Sequence, residues 1–421
     1  EYGRYYSGFD RCVHEDARPF YNDDWMWDTY RNLHALGILL DPARKADELQ
    51  SYARIYEQWG WVPSFPELTE WGGDWFEGGG PDWHGDPMIG NHVASFAAEA
   101  IRKGITGFDV EKLYEGLRKN ALEGTMIPWR AGAAREPDRF YSEHGYFPAL
   151  APGEPEKYPY VDDGWEKRQA VSVTLEHSYD DWCLARFFEA KGDTEKAREY
   201  DLRSQRFKNV LDAETKLVRA RRSDGTWAAP SDYNISVWSG FNETGALNYR
   251  KNYTLFAPHD VPALIEFMGG NDAMAAFLDD IFDNGIYYVG DEFSMHAPYM
   301  YNLCGMPWKT QRRVYDIVNT YYLPQPSGLP GNDDCGQLSA WYLFSAMGFY
   351  PMCPGSTEYQ LGIPCLPEII LHLPNGRDFR IVCENFGSGN CYVQSVTLNG
   401  KALERPAIDH ADILRGGELR F

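Results

Sequence analysis

Two adjacent aspartates, Asp333 and Asp334, stand in the run Leu329-Pro330-Gly331-Asn332-Asp333-Asp334-Cys335-Gly336-Gln337, just ahead of a segment with helical periodicity. The start of a helix favours negative charge, so it keeps a carboxylate ionised, as a general base must be. An N-cap aspartate occupies the same kind of position, while the flanking glycines let backbone and ligand approach closely. A second loop, Ser239-Gly240-Phe241-Asn242-Glu243-Thr244-Gly245, carries a lone acid and is followed by Ala257-Pro258-His259-Asp260. To act as a general acid, Glu243 must lose solvent to apolar walls, which raises a carboxyl pKa toward neutrality; Trp238, Phe241 and Tyr253 are the rings at hand. Acid and base on separate loops are the equipment of proton-transfer catalysis.

Oxygen donors gather elsewhere too. Val289-Gly290-Asp291-Glu292-Phe293-Ser294-Met295-His296 sets two carboxylates beside a glycine, the ligand type that Ca²⁺ accepts, in a spacing unlike an EF-hand. Asp291 and Glu292 are therefore candidate metal ligands, and His296 reads as a core histidine. Trp25-Met26-Trp27-Asp28-Thr29-Tyr30-Arg31 combines rings with an acid and a base at a helix start, either as an Asp–Arg pair with core tryptophans or as part of a site. In Thr174-Leu175-Glu176-His177-Ser178-Tyr179-Asp180-Asp181-Trp182, Glu176 and Asp180 fall one helical turn apart. They repel unless paired or used, which predicts either a functional role or a buried arginine partner.

These loops must be held by the elements between them. From about Trp25 to Tyr350 helical-period stretches alternate with loops rich in Gly, Pro and Asp. Helices are expected after Trp27 and over His92–Lys103, Val171–Ala190, Glu195–Leu211, Val261–Phe267, Trp308–Tyr322 and Gln337–Gly348. Gly192 closes one of them and Asp193 caps the next. Short connections make neighbouring helices antiparallel, and their repetition along the chain suits a toroid of paired helices better than a bundle. After Pro351 the pattern changes. Glu368–Leu373, Asp378–Val382 and Tyr392–Leu398 alternate with period two, and Pro374-Asn375-Gly376 and Asn399-Gly400 are turn signals. The reading is mainly α, with a helical body over 1–350 and a small antiparallel β segment over 351–421 that packs on the body or on an absent β domain.

Composition narrows the partners. Forty basic residues against 62 acidic ones give a net charge of −22, which repels phosphate backbones and anionic lipid head groups, so no nucleic acid and no membrane are expected. No stretch approaches the length of an apolar membrane span. Eight cysteines without a Cys-x-x-Cys pair argue against a disulfide scaffold or a zinc site. Core packing accounts for most of the 14 Trp and 28 Tyr, and about one in five is left to line a cleft, where exposed ring faces of this kind stack on the C–H faces of sugars.

Taken in order, Trp27-Asp28-Thr29-Tyr30-Arg31, Met88-Ile89-Gly90-Asn91-His92, Thr174-Leu175-Glu176 with Tyr179-Asp180-Asp181-Trp182, Ala257-Pro258-His259-Asp260-Val261, Pro298-Tyr299-Met300-Tyr301-Asn302, Pro307-Trp308-Lys309-Thr310-Gln311 and Gly331-Asn332-Asp333-Asp334-Cys335-Gly336-Gln337 resemble glycoside hydrolase family 92 along nearly the whole chain. The resemblance implies an (α/α)6 catalytic barrel and an inverting, exo-acting α-mannosidase that needs Ca²⁺ and removes terminal mannose from glycans, with the linkage left open. It also implies an N-terminal β-sandwich domain outside this chain and a secreted or periplasmic, bacterial-type setting. Glu243 corresponds best to the family's acid and Asp333 or Asp334 to its base region, with Glu176 as the reserve acid; Trp27, Asp28, His92, Glu176 and His259 are expected to line the sugar. Alternatives are a non-catalytic, calcium-dependent glycan-binding protein on the same scaffold, a member that releases mannose from mannosyl phosphate, and an (α/α)6 epimerase or lyase working through His92, His259 or His296.

Overall fold

The computed structural model describes residues 3–66, 88–128, 130–161, 167–232, 247–387 and 389–421. The helices are α1 (Met26–Thr29), α2 (Leu33–Leu40), α3 (Pro42–Trp59), α4 (Val93–Arg102), α5 (Val110–Glu123), α6 (Glu136–His144), α7 (Ala170–Ala190), α8 (Thr194–Arg203), α9 (Leu247–Thr254), α10 (Val261–Met268), α11 (Asn271–Asp283), α12 (Met300–Leu303), α13 (Pro307–Tyr321), α14 (Gln337–Met347) and α15 (His410–Leu414). The expected helix over Glu195–Leu211 is α8 followed by a tighter 3₁₀ segment, Ser204–Val210. Contacts divide the chain into two compact units. One comprises 1–27, 43–101 and 105–257; the other comprises 28–42, 102–104 and 258–421.

In the first unit α7 is the central element. It is buried along most of its 21 residues although it carries Glu176, His177, Asp180 and Asp181. Buried charge has to be paired, and the pairing is described below. Thr174 and Ser178 satisfy their hydroxyls on the helix itself, donating to the carbonyls of Ala170 (2.7 Å) and Thr174 (2.6 Å). Gly192, at φ 79, ends α7, and the Asp193 carboxylate accepts from Lys196 N at 3.1 Å to start α8, as the sequence predicts. The two helices then lie side by side, and Arg203 of α8 reaches back to Asp181 of α7 at 3.0 Å. α4 is buried from Val93 to Ala100, its alanines permitting close packing. An N-terminal hairpin, Arg4–Ser7 with Cys12–Glu15, precedes all of this.

In the second unit α14 is the core helix, with Trp341 and Phe344 fully buried. Trp341 donates Nε1–H to the Met295 carbonyl at 3.1 Å, tying α14 to the loop that carries Asp291 and Glu292. β structure begins at Phe349 and runs to Arg420. A three-stranded sheet joins Phe349–Tyr350, Glu358–Leu361 and Ala407–Asp409; a five-stranded sheet contains Glu368–His372, Asp378–Val382, Thr397–Leu398, Lys401–Ala402 and Gly417–Arg420. Two expectations are corrected here. Tyr392–Val396 is irregular, so only Thr397–Leu398 of that run is strand. The last strand, Gly417–Arg420, pairs parallel with Asp378–Val382, because the chain returns to the sheet only after passing through Ala407–Asp409 and α15. Leu371, Phe379, Ile381 and Leu419 supply the buried face of this sheet.

Candidate active site

The acidic cluster of the second unit is built by three turns. Asp28 belongs to the single turn of α1 and is 4% exposed. Glu292 opens the 3₁₀ turn Glu292–Ser294. Asp334 lies just before α14, where Asp334, Cys335 and Gly336 have φ values of 46°, 60° and 100°. Two consecutive non-glycine residues in the left-handed region store strain that the surrounding fold must hold, a feature concentrated at functional sites. The two loops meet at Gly290 and Gly331, and only at Gly290 would a side chain clash. A Cβ built on Gly331 would lie 3.6 Å from the Gly290 Cα, and one on Gly290 would lie 2.6 Å from the Tyr288 ring and 3.3 Å from the Pro330 carbonyl oxygen.

One carboxylate oxygen each from Asp28, Glu292 and Asp334 lies within 4.8 Å of the others. The electrostatics follow from that crowding. Burial, with the neighbouring Asp334 adding to it, pushes the Glu292 carboxyl up to about 8, against a smaller opposing pull from Arg31. Burial likewise raises Asp334, which shares a hydrogen bond with Glu292. Burial alone raises Asp291 to about 6, but Asp291 is not one of the three clustered acids. The donor set consists of carboxylate oxygens with too little compensating charge, which suits a hard divalent cation.

Asp333 and Asp334 do different work. Asp333 Oδ1 accepts from Ser339 N (2.9 Å) and from Ser339 Oγ (2.9 Å), which binds the first turn of α14. The main-chain carbonyl of Asp333 accepts from Gln337 N at 2.8 Å. Neither aspartate is the N-cap, which is Gly336; Asp333 is tied to the first turn of the helix and Asp334 to the acidic cluster.

The first unit holds a second, fully buried network. His92 bridges two carboxylates of α7: Nδ1 lies 2.7 Å from Asp180 Oδ1 and Nε2 lies 2.9 Å from Glu176 Oε2. Trp27 Nε1 donates to the same Glu176 oxygen at 2.7 Å, Tyr253 OH donates to Glu176 Oε1 at 3.3 Å, and Asn91 N donates to Asp180 Oδ2 at 2.6 Å. Burial opposes charge on the imidazole, but Asp180 and Glu176 outweigh it and hold the His92 pKa up to about 9. With a carboxylate oxygen at each ring nitrogen, the geometry favours the protonated imidazole. The partner that resolves the Glu176–Asp180 repulsion is this histidine and not an arginine; the neighbouring Asp181 is the one that pairs with an arginine, Arg203. Tyr253, foreseen as a wall for the acid loop, is fully buried on Glu176.

Other expected site residues fall as follows. Trp27 is buried and His259 is half-buried in the turn Pro258–Asp260, whose Asp260 caps α10 through Ala263 N at 3.2 Å. His296 is 6% exposed. Glu243, Trp238 and Phe241 lie outside the described residues. Sequence reasoning missed Ser339 as the partner of Asp333, the Gly290–Gly331 approach and the union of Asp28 with the two later loops. The only signals were the glycines at 290 and 331 and the acid in the Trp27–Arg31 motif.

A carboxylate cluster on glycine-bearing loops at helix starts defines a class of acid–base or metal-assisted hydrolytic site, and the comparisons give the family. The description "Glycosyl hydrolase family 92 catalytic domain" matches residues 1–421, so the chain belongs to glycosyl hydrolase family 92. An uncharacterized secreted glycosidase of Arthroderma benhamiae is 29% identical over 368 residues, which is 81% of this chain and 46% of that protein. The structure of a family GH92 α-mannosidase from Bacteroides thetaiotaomicron is similar at 30% identity and TM-score 0.83, covering 100% of this chain and 52% of the other. A family GH92 inverting mannosidase from Bacteroides thetaiotaomicron VPI-5482 is similar at 30% identity and TM-score 0.84, covering 99% and 55%. The chain thus spans about half the length of these relatives. No described helix is long and apolar enough to cross a membrane.

Proposed function

We propose that this chain carries the catalytic centre of an inverting, exo-acting α-mannosidase, in which Glu243 is the general acid and Asp334 the general base. The observation that carries the reading is the convergence of Asp334, held in a left-handed backbone, with Glu292 and Asp28. Asp333 is the weaker choice for the base because its carboxylate is spent on Ser339. The similar solved structures, one an α-mannosidase and one an inverting mannosidase, supply the substrate class.

Inversion needs a carboxylic acid to protonate the departing oxygen and a carboxylate to take a proton from water on the opposite face, with about 6.5 to 9.5 Å between them to admit that water. Asp334 meets the second requirement when it is ionised. Burial and the nearby charge of Asp333 oppose that state, and the hydrogen bond with Glu292 favours it. Asp28, Glu292 and Asp334 are the residues that would hold Ca²⁺, each offering one oxygen. When bound, the cation supplies positive charge for a pair of sugar hydroxyls and displaces the proton from the acidic cluster. Trp27 and Asp28 contact the sugar in this reading; His92 and Glu176, fully buried and hydrogen-bonded, act through Trp27. An (α/α)6 barrel, an N-terminal β-sandwich partner domain and a secreted location belong to the same proposal, the last in keeping with the secreted relative.

The test is release of mannose from an aryl α-mannoside, with activity lost on chelation and restored by Ca²⁺. Binding of a mannoside without turnover at saturating Ca²⁺ would establish the non-catalytic alternative instead.

A further inference from the structure

The three turns that bring Asp28, Glu292 and Asp334 together meet on one further side chain, and it carries no charge. Met295 directly follows the 3₁₀ turn of Glu292 and is 1% exposed. All its polar atoms are engaged. Its main-chain N–H donates to the Glu292 carbonyl at 3.2 Å, which closes that turn. Its carbonyl accepts from Trp341 Nε1 at 3.1 Å. Its sulfur accepts from Gln337 Nε2 at 2.7 Å and from Asn32 Nδ2 at 3.8 Å.

Each donor leads back to one of the acids. Gln337 is the first residue of α14, and its own N–H lies 2.8 Å from the Asp333 carbonyl and 3.4 Å from that of Asp334. Trp341 stands one helical turn further on, so α14 turns both side chains to the same side and both close on Met295. Asn32 starts α2, and its neighbour Arg31 donates its main-chain N–H to the Asp28 carbonyl at 3.2 Å. The amides of Asn32 and Gln337 are fully buried, and their oxygens, Asn32 Oδ1 and Gln337 Oε1, have no partner. The bond to sulfur is therefore the polar hold on the Gln337 side chain, while Asn32 adds a contact to Tyr350 OH at 3.5 Å. A thioether suits the place because it accepts without bringing a donor or a charge of its own, and because soft sulfur does not compete for a hard cation.

We infer that Met295 is a positioning residue: by accepting from Asn32 and Gln337, its sulfur sets the spacing of the three turns and so fits the acidic cluster to a divalent cation. This rests on the metal reading of Asp28, Glu292 and Asp334 and deepens it. Groups that orient metal ligands without touching the metal change its affinity by about 10- to 100-fold when they are lost. Met295 is placed to have an effect of that size, since Asp28 is joined to the two later loops by packing and not by sequence.

The experiment titrates Ca²⁺ calorimetrically into the native chain, Met295→Leu, Gln337→Leu and the double variant. Leucine conserves the volume at position 295 and removes the acceptor. Each single variant should bind Ca²⁺ about 10- to 100-fold more weakly, and the double variant no more weakly than either, because all three lack the same bond. Unchanged affinity in a folded single variant, or losses that multiply in the double, would leave Met295 as ordinary packing and overturn the inference. If Met295→Leu does not fold, Gln337→Leu removes the bond from the other side and decides alone. Hydrogen exchange in chelator gives a readout without metal. The main-chain amides of Arg31, Gln337 and position 295 should all exchange faster in Met295→Leu, whereas a change confined to position 295 would refute the joint hold. A native chain that binds no Ca²⁺ would overturn the metal reading, and hydrogen exchange would still decide whether Met295 holds the turns.

Discussion

At Asp333 a carboxylate oxygen accepts two hydrogen bonds from Ser339, whereas Asp334 turns through a left-handed backbone toward Glu292. Their replacement should therefore separate. Asp334→Asn is expected to lower kcat by roughly a hundred- to ten-thousand-fold on activated and unactivated mannosides alike, since water must be activated whatever leaves. Asp333→Ala should cost about 1 kcal/mol of stability through the lost hydrogen bonds to Ser339, seen as a shifted urea midpoint, with a much smaller effect on kcat. If the two variants lose activity equally, the division of labour is wrong. Glu243→Gln should harm glycosides with basic leaving groups most and an activated aryl mannoside least, because protonation matters only when the departing alkoxide is poor. The cluster also predicts a pH effect. The Glu292 pKa is raised from 4.5 to about 8 in the folded, metal-free state, so the native protein binds more protons than the unfolded chain between those values. The contribution of Glu292 to metal-free stability should be complete below pH 4.5 and be lost as pH rises through 8, and Ca²⁺ should flatten that decline. Melting curves in chelator and in Ca²⁺ check it; parallel pH profiles would sink the metal assignment to these residues.

Between elements, His92 joins the start of α4 to two turns of α7. Its pKa is raised from 6.5 to about 9, so its contribution to stability is complete below pH 6.5 and is lost as pH climbs through 9. The contribution is on the order of 3 kcal/mol. In His92→Gln the two carboxylates face each other without a cation, so the variant should be less stable at pH 7 and should lose the decline between pH 6.5 and 9. Urea titrations at several pH values measure both. A variant with the native slope would mean that the imidazole is neutral in the fold. The same network carries Trp27 through Glu176, so kcat in His92→Gln should suffer even in the fraction that remains folded.

At the scale of the whole molecule, the reaction has one stereochemical signature. Two carboxylates separated by a water invert the anomeric centre, so NMR taken immediately after cleavage should show β-mannose before mutarotation. Initial release of α-mannose would require a nucleophile in place of the base and would overturn the roles given to Glu243 and Asp334. The chain spans about half the length of these solved relatives.

The helices expected over His92–Lys103, Val171–Ala190, Val261–Phe267, Trp308–Tyr322 and Gln337–Gly348, the caps at Asp193 and Gly192, the onset of β structure near Phe349 and the acid-rich loops were legible in the sequence, because periodicity, capping and turn chemistry are local. The helices Val110–Glu123, Glu136–His144 and Asn271–Asp283 were not read from it. The motifs in order were enough to point to the family. What they could not reveal was partnership. Asp28 lies more than 260 residues from Glu292, and its place beside Glu292 and Asp334 depends on how α1 and two glycine loops pack, a non-local outcome that no spacing encodes. Likewise the i, i+4 clash of Glu176 and Asp180 announced that a cation was needed, but only the packing of α4 against α7 decided that it is His92, and that Arg203 serves Asp181. The sequence states which charges must be compensated; the tertiary structure chooses the compensating groups, because burial fixes the energetic cost of leaving each one alone.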